Sequence, residues 1–131
     1  MTHLIDASSI FEAVAAGKID IITRFSTTSI ARYEIGNVLW KHTQLFKTYS
    51  PDQSAEMLKL LSDAINKMQV LDIASHEQEI LRLSLEIESS FYDASYIYLA
   101  KQNGLVLITE DNGMASKCRE IGLEYYSIKE V

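Results

Sequence analysis

The sequence predicts an α/β protein, a three-layer α/β/α sandwich built as one domain. Three observations carry that expectation. Short apolar runs alternate along the chain with longer segments of helical periodicity, as in a sheet covered on both faces by crossover helices. The run Leu105-Val106-Leu107-Ile108 is continuously apolar, as strands buried on both faces of a parallel sheet are. Acidic residues follow two of the runs, Asp6 after the first and Asp111 just past Leu105 to Thr109, where open parallel sheets bind their ligands.

Taken in order, His3-Leu4-Ile5 is a short strand stopped by Asp6. Ala7 to Ala16 is a helix with Ile10, Phe11, Val14 and Ala15 on one face and Gly17 ending it. Lys18 to Thr28 is open to two readings: Ile19, Ile21 and Ile22 fit a strand or a helical turn, and Arg24-Phe25-Ser26-Thr27 fits the second strand. A short strand near Phe25 is the preferred reading. Thr28 or Ser29 then caps a helix from about Ile30 to Phe46, with Ala31, Ile35, Val38, Leu39, His42 and Leu45 as its apolar face. Glu34, Asn37 and Lys41 lie along the edge of that face.

Pro51, after Ser50, suits the first turn of another helix, whose stripe is Leu58, Leu61, Ile65 and Met68. Met57, Leu60 and Ala64 widen the stripe beyond one packing face, so this helix is buried on two sides or meets a partner. Gln69 to Ile73 is a third strand, capped by Ser75 and His76. Leu81, Leu83, Leu85 and Ile87 alternate with polar residues in the period of a strand, yet Leu, Glu and Arg favour helix, and helix is expected. Ser89-Ser90 opens a helix to Asn103, stopped by Gly104. After the Leu105 to Ile108 strand, Met114, Cys118 and Ile121 stripe a last helix ended by Gly122, and Glu124 to Ile128 is an edge strand.

With 131 residues, 47% of them apolar and 23% charged, the chain suits one soluble globular domain. One proline, five glycines and no repeat leave no room for a linker. The single cysteine, Cys118, excludes an intramolecular disulfide, and the first residues have neither the basic nor the apolar stretch of an export signal. No apolar run approaches the roughly 20 residues of a membrane span, so a cytoplasmic protein with no membrane partner is expected. A net charge of −6 speaks against bulk affinity for nucleic acid. Arg24, Arg32, Lys41 and Lys47 nonetheless fall close together in sequence, as a modest basic stretch or a solvated helix face.

The chemistry lies in four acids. Asp6, Glu34, Asp93 and Asp111 are placed where this topology would bring them together, and a hard divalent cation wants oxygen ligands while a phosphodiester wants a cation to neutralise its charge and activate water. Each also has a plainer use. Asp6 and Asp111, between strand and helix, suit N-caps. Ser90-x-x-Asp93 resembles a capping box, although Asp93 shares a helical line with Ile97, Ala100 and Gly104. Glu34 is past any cap, and Lys41, two turns on, is out of range for a helical pair. Two carboxylates about 4 Å apart repel by roughly 4 kcal/mol at an effective dielectric of 20, so four of them need a cation or must protonate or splay.

At these residues the sequence resembles the PIN-domain ribonucleases, above all the VapC-type toxins of prokaryotic toxin–antitoxin pairs, over nearly its whole length. Asp6-Ala7-Ser8-Ser9 looks like the opening Asp motif, and Tyr33-Glu34-Ile35-Gly36-Asn37-Val38-Leu39-Trp40-Lys41 like the Glu helix. Tyr92-Asp93-Ala94-Ser95-Tyr96 is similar to the third motif, and Thr109-Glu110-Asp111 to Thr-x-Asp. The resemblance implies a five-stranded parallel sheet in order 3-2-1-4-5. It also implies a metal-dependent endoribonuclease using Mg²⁺ or Mn²⁺ held by Asp6, Glu34, Asp93 and Asp111, with Asp6 and Asp93 the principal ligands. Ser8 and Thr109 would support the site, and Asn37 would lie near the pocket. Cleavage to a 3′-hydroxyl and 5′-phosphate, a homodimer and a cognate antitoxin protein are implied with it.

Other chemistries fail on the letters. A metal-dependent adhesion site needs Ser where Ile10 stands, and a haloacid-dehalogenase phosphatase needs Asp where Ser8 stands. The acids of receiver domains are spread differently. His3, His42 and His76 lack metal-ligand spacing, and His42 reads as a core or interface residue. Tyr92, Tyr96 and Tyr98 read as packing residues before base-stacking ones. A PIN fold used as a scaffold and a housekeeping RNA-processing nuclease without an antitoxin remain as alternatives.

Overall fold

Three-residue strands with alternating side chains can feed two cores at once, and the central strands do so. The computed structural model of the protein describes residues 2–131. Its strands β1 (His3–Ile5), β2 (Ser26–Thr28), β3 (Gln69–Leu71), β4 (Val106–Ile108) and β5 (Tyr125–Tyr126) form one sheet in order β3-β2-β1-β4-β5. Every pairing is parallel, with Leu4 opposite both Ser26 and Leu107. The order implied by the resemblance is therefore the order found.

The helices are α1 (Ala7–Ala15), α2 (Ile19–Ile22), α3 (Ala31–Trp40), α4 (Pro51–Lys67), α5 (Glu77–Glu86), α6 (Phe91–Gln102) and α7 (Asn112–Ile121). Ile5 and Ile108 enter a core with Ile10, Phe11, Ile35, Leu61 and Ile65 from α1, α3 and α4. Leu4 and Leu107, one residue away and so on the opposite face, enter a core with Tyr96, Ile97, Leu99, Met114 and Cys118 from α6 and α7. Burying each such side chain contributes about 1.5 to 3 kcal/mol, which is why both faces of so short a sheet must be covered. The sandwich has the three layers expected. Among the described residues no helix is long and apolar enough to cross a membrane.

Of the two readings left open for Lys18 to Thr28, Ile19 to Ile22 form a helical turn and the second strand is the preferred one near Phe25, starting at Ser26. Several other local expectations are corrected. Neither Thr28 nor Ser29 caps α3: its N-cap is Ile30, with no side-chain cap bond, because Thr28 is held in β2. The helix does not run regularly to Phe46; Lys41–Leu45 form a π-helical turn, which rotates Leu45 out of the expected apolar face into solvent. The third strand stops at Leu71, and His76 is the N-cap of α5 without a side-chain cap bond. Leu105 precedes β4, and only Tyr125–Tyr126 pair at the edge, Ile128 belonging to a short 3-10 turn. The misleading Leu81 to Ile87 alternation is helical, as propensity predicts.

Candidate active site at the carboxyl edge of the sheet

Asp6 is the structural centre of the site. It directly follows β1, is only 4% exposed, and caps α1 through Oδ1, which accepts from the Ser9 backbone N–H at 2.9 Å and the Ser8 hydroxyl at 3.2 Å. Its Oδ2 accepts from the Thr109 hydroxyl at 2.5 Å. Thr109 follows β4, the neighbour of β1, and its Oγ also accepts from the Asp111 N–H at 3.0 Å. One hydroxyl thus ties the ends of the two central strands together. Burial pushes the Asp6 carboxyl above the usual range, and these hydrogen bonds oppose the shift.

Glu34, on α3, is half-buried, and its Oε1 accepts from the Tyr96 hydroxyl at 2.8 Å. Its acidity is weakened first by burial and then by the charges of Asp6 and Asp93, while the Tyr96 bond opposes. Asp93 sits in the first turn of α6. Ser90 Oγ accepts from its backbone N–H at 3.0 Å, the half of the capping box that leaves the carboxylate free. Burial, then Asp111, then Asp6 push that carboxyl upward. Asp111 caps α7, Oδ1 accepting from Gly113 N–H at 2.8 Å. The plainer uses of Asp6 and Asp111 are therefore real, and they coexist with membership of one electrostatic set.

That set has no internal cation. The one ion pair among the described residues, Lys117 with Glu120 at 3.5 Å, lies along α7. Among the described residues no three acidic, His or Cys side chains are drawn tightly enough together to hold an ion directly. Two buried hydroxyls, Ser9 Oγ and Thr28 Oγ, make no hydrogen bond among the described residues. This donor set suits an ion that keeps much of its water: magnesium is usually bound by one or two carboxylates and retains several waters.

The remaining named residues divide. Ser8 touches Asp6 as described, whereas Asn37 is exposed and lies farther along α3, at the border of an open hollow of about 560 Å³ that Glu34 also lines. Glu110, between Thr109 and Asp111, turns away; its carboxylate accepts from Ser127 Oγ at 2.9 Å and Ile128 N–H at 2.6 Å and anchors the C-terminal turn. His42 stacks on Phe11 at 5.3 Å, and His42 Nδ1 and Thr48 Oγ lie 2.7 Å apart. Sequence reasoning missed Tyr96, which is 1% exposed and whose phenol is pushed up by burial and by Glu34. Its spacing of three from Asp93, hence the same helix face, was the available signal.

A parallel sheet in this order with acids gathered at its carboxyl edge is the PIN architecture. The chain belongs to the PIN domain family, which it matches over residues 2–120. It is 35% identical over 120 residues to a protein named exonuclease VapC9 from Pyrobaculum aerophilum, spanning 89% of this chain and 86% of that one. Ribonuclease VapC3 from the same organism is 32% identical over 91 residues, 70% of this chain and 69% of that one. The crystal structure of PAE2754, also from Pyrobaculum aerophilum, superposes with a TM-score of 0.82 at 28% identity, covering 99% of this chain and 92% of that one. The resemblance to VapC-type PIN domains is thereby upheld.

Proposed function

We propose that the chain is a Mg²⁺- or Mn²⁺-dependent endoribonuclease acting in the cytoplasm as the toxin of a VapC-type toxin–antitoxin pair. The observation that carries this reading is the set of Asp6, Glu34, Asp93 and Asp111, in which burial weakens Asp6, Glu34 and Asp93 as acids and neighbouring carboxylates weaken Glu34 and Asp93 further, with no lysine or arginine paired to them among the described residues. Asp6 and Asp93 would hold the ion, with Glu34 and Asp111 meeting its waters. A bound divalent ion lowers the pKa of its water and neutralises phosphate charge. Thr109, Ser8 and the Ser9 N–H fix both Asp6 oxygens, and Tyr96 fixes Glu34 through Oε1. Glu34 Oε2 and Asp111 Oδ2 keep no protein partner among the described residues, which supports their accepting from water in this reading.

Two further parts of the reading rest on charge and exposed surface. An arginine or lysine from an antitoxin would complement the unpaired acids. A homodimer would cover Leu58 and Leu60, which α4 leaves exposed. A small antitoxin gene beside this one, giving a nuclease-silent complex on co-expression, separates the toxin from a housekeeping nuclease.

The deciding experiment is cleavage of linear and circular single-stranded RNA in magnesium or manganese. The chain is expected to open the circle and leave 5′-phosphates, and Asp93→Asn to abolish cleavage while circular dichroism shows the fold intact. Full activity of Asp93→Asn at saturating magnesium overturns the assignment. The name of the 35% identical relative favours a second reading, an exonuclease, under which only the linear RNA shortens.

A further inference from the structure

The hollow beside the acids lies between α3 and α6 and is bordered by two tyrosines, Tyr33 and Tyr92, together with Glu34, Asn37 and Lys41. Tyr33 is 81% exposed and Tyr92 59% exposed. Rings of this size left in water forgo the stabilisation of burial, and neither hydroxyl makes a hydrogen bond among the described residues, so packing does not account for them. The neighbouring tyrosines are used inside the fold: Tyr96 donates to Glu34, and Tyr98 lies 3.3 Å from His76 Nδ1. The expectation that this group of tyrosines packs is thus met by Tyr96 and Tyr98 and not by Tyr92.

Glu34 belongs both to the hollow and to the acidic set, so whatever occupies the hollow is held next to the candidate cleavage centre. The lining offers two ring faces, a cation and an amide that both donates and accepts. Every nucleobase has a face to stack, every linkage a phosphate for a cation, and every base edge groups that an amide can pair with. Beyond the two rings, an apolar helix from a protein partner would find only Ile30 and Val38, both half-buried, to rest on.

The geometry points to a stacking subsite for unpaired RNA: Tyr33 and Tyr92 take a base beside the scissile linkage, Lys41 contacts the backbone phosphate, and Asn37 pairs with the base edge. The inference rests on the ribonuclease reading and narrows its substrate to single strands, because the base faces of a duplex are already covered by their neighbours.

The test uses the full chain carrying Asp93→Asn, so that RNA is not consumed. It is titrated in magnesium with an unpaired octamer containing 2-aminopurine and with the same octamer annealed in a duplex. Binding of the single strand is expected to quench the fluorescent base. Tyr33→Leu and Tyr92→Leu each weaken binding by about 5- to 100-fold, and Tyr→Phe at either position restores it. Lys41→Gln lowers the slope of log affinity against log salt by about 0.7. These side chains are exposed, so the variants fold.

Leucine variants that bind within twofold of their parent, with the quench intact, overturn the subsite. So does normal RNA binding by those variants combined with loss of a co-expressed protein partner, which would make the hollow a protein dock. The two readings fail separately: an unsubstituted chain that binds RNA through the tyrosines but cleaves none in any divalent metal removes the nuclease and keeps the subsite.

Discussion

Thr109 shows how much one hydroxyl decides here. It donates to Asp6 and accepts from the Asp111 N–H, so Thr109→Val, nearly isosteric, leaves a buried carboxylate oxygen and a backbone donor without partners. Stability is expected to fall by about 1 to 3 kcal/mol in urea unfolding, while Thr109→Ser stays close to the parent. Tyr96→Phe removes only the hydroxyl that holds Glu34; Mn²⁺ affinity and cleavage should both drop, by roughly tenfold, with Asp6 still capping α1. Unchanged Mn²⁺ affinity in that variant would make Tyr96 a packing residue only. Asp6, Glu34, Asp93 and Asp111 could be read from the letters because carboxylates at strand ends and within a helix are conspicuous. Tyr96 could not, since a tyrosine among apolar neighbours looks the same whether or not its hydroxyl reaches across to another helix.

At the scale of elements, legibility followed hydrophobicity. β2 consists of Ser26, Thr27 and Thr28, all buried, so the strand carries no apolar signal. Hydroxyls serve there instead: Thr27 donates to Ile5 O at 2.7 Å and Ser26 to Gln69 Oε1 at 3.3 Å, pinning the strand to its neighbours on both sides. The end of α3 misled for another reason, because the π turn at Lys41–Leu45 breaks the 3.6-residue period on which a helical face is read. By contrast α4 announced its start. Ser50 and Gln53 form a reciprocal capping box that spans Pro51. Ser50→Ala should cost about 1 kcal/mol, lowering the melting temperature by roughly 3 to 5 °C and leaving RNA cleavage unchanged, since α4 contributes none of the four acids.

For the whole molecule, the proposed metal site makes the acids the groups through which pH and metal would act on stability. Asp6, Glu34 and Asp93 titrate above their ordinary values in the folded state, so the native chain keeps protons that the unfolded chain has released. Their stabilising contribution is present below the ordinary carboxylate range, near pH 4, and is lost as pH rises through the raised values. In chelator, the melting temperature should therefore gain from these groups on acidification from pH 7 toward pH 5, with a smaller gain in Asp6→Asn. Magnesium or manganese should raise it at pH 7 by binding the native state. Asp6→Asn should raise the metal-free value and lose most of the metal response; an unaltered response would count against the mutual repulsion of the acids. Light scattering at tens of micromolar tests the proposed dimer, which a monomer would exclude.

The bond between Thr109 and Asp6 spans 103 positions of sequence. A ribosome adding about 5 to 20 residues per second makes the first of the two roughly 5 to 20 s before the second. During that interval β1 lacks β4, and Asp6 lacks both its hydroxyl donor and the Asp111 that β4 brings beside Asp93. Under the proposed function, a nascent chain would therefore carry no complete acidic set, and would spare nearby RNA, until Thr109 and Asp111 have emerged to join Asp6.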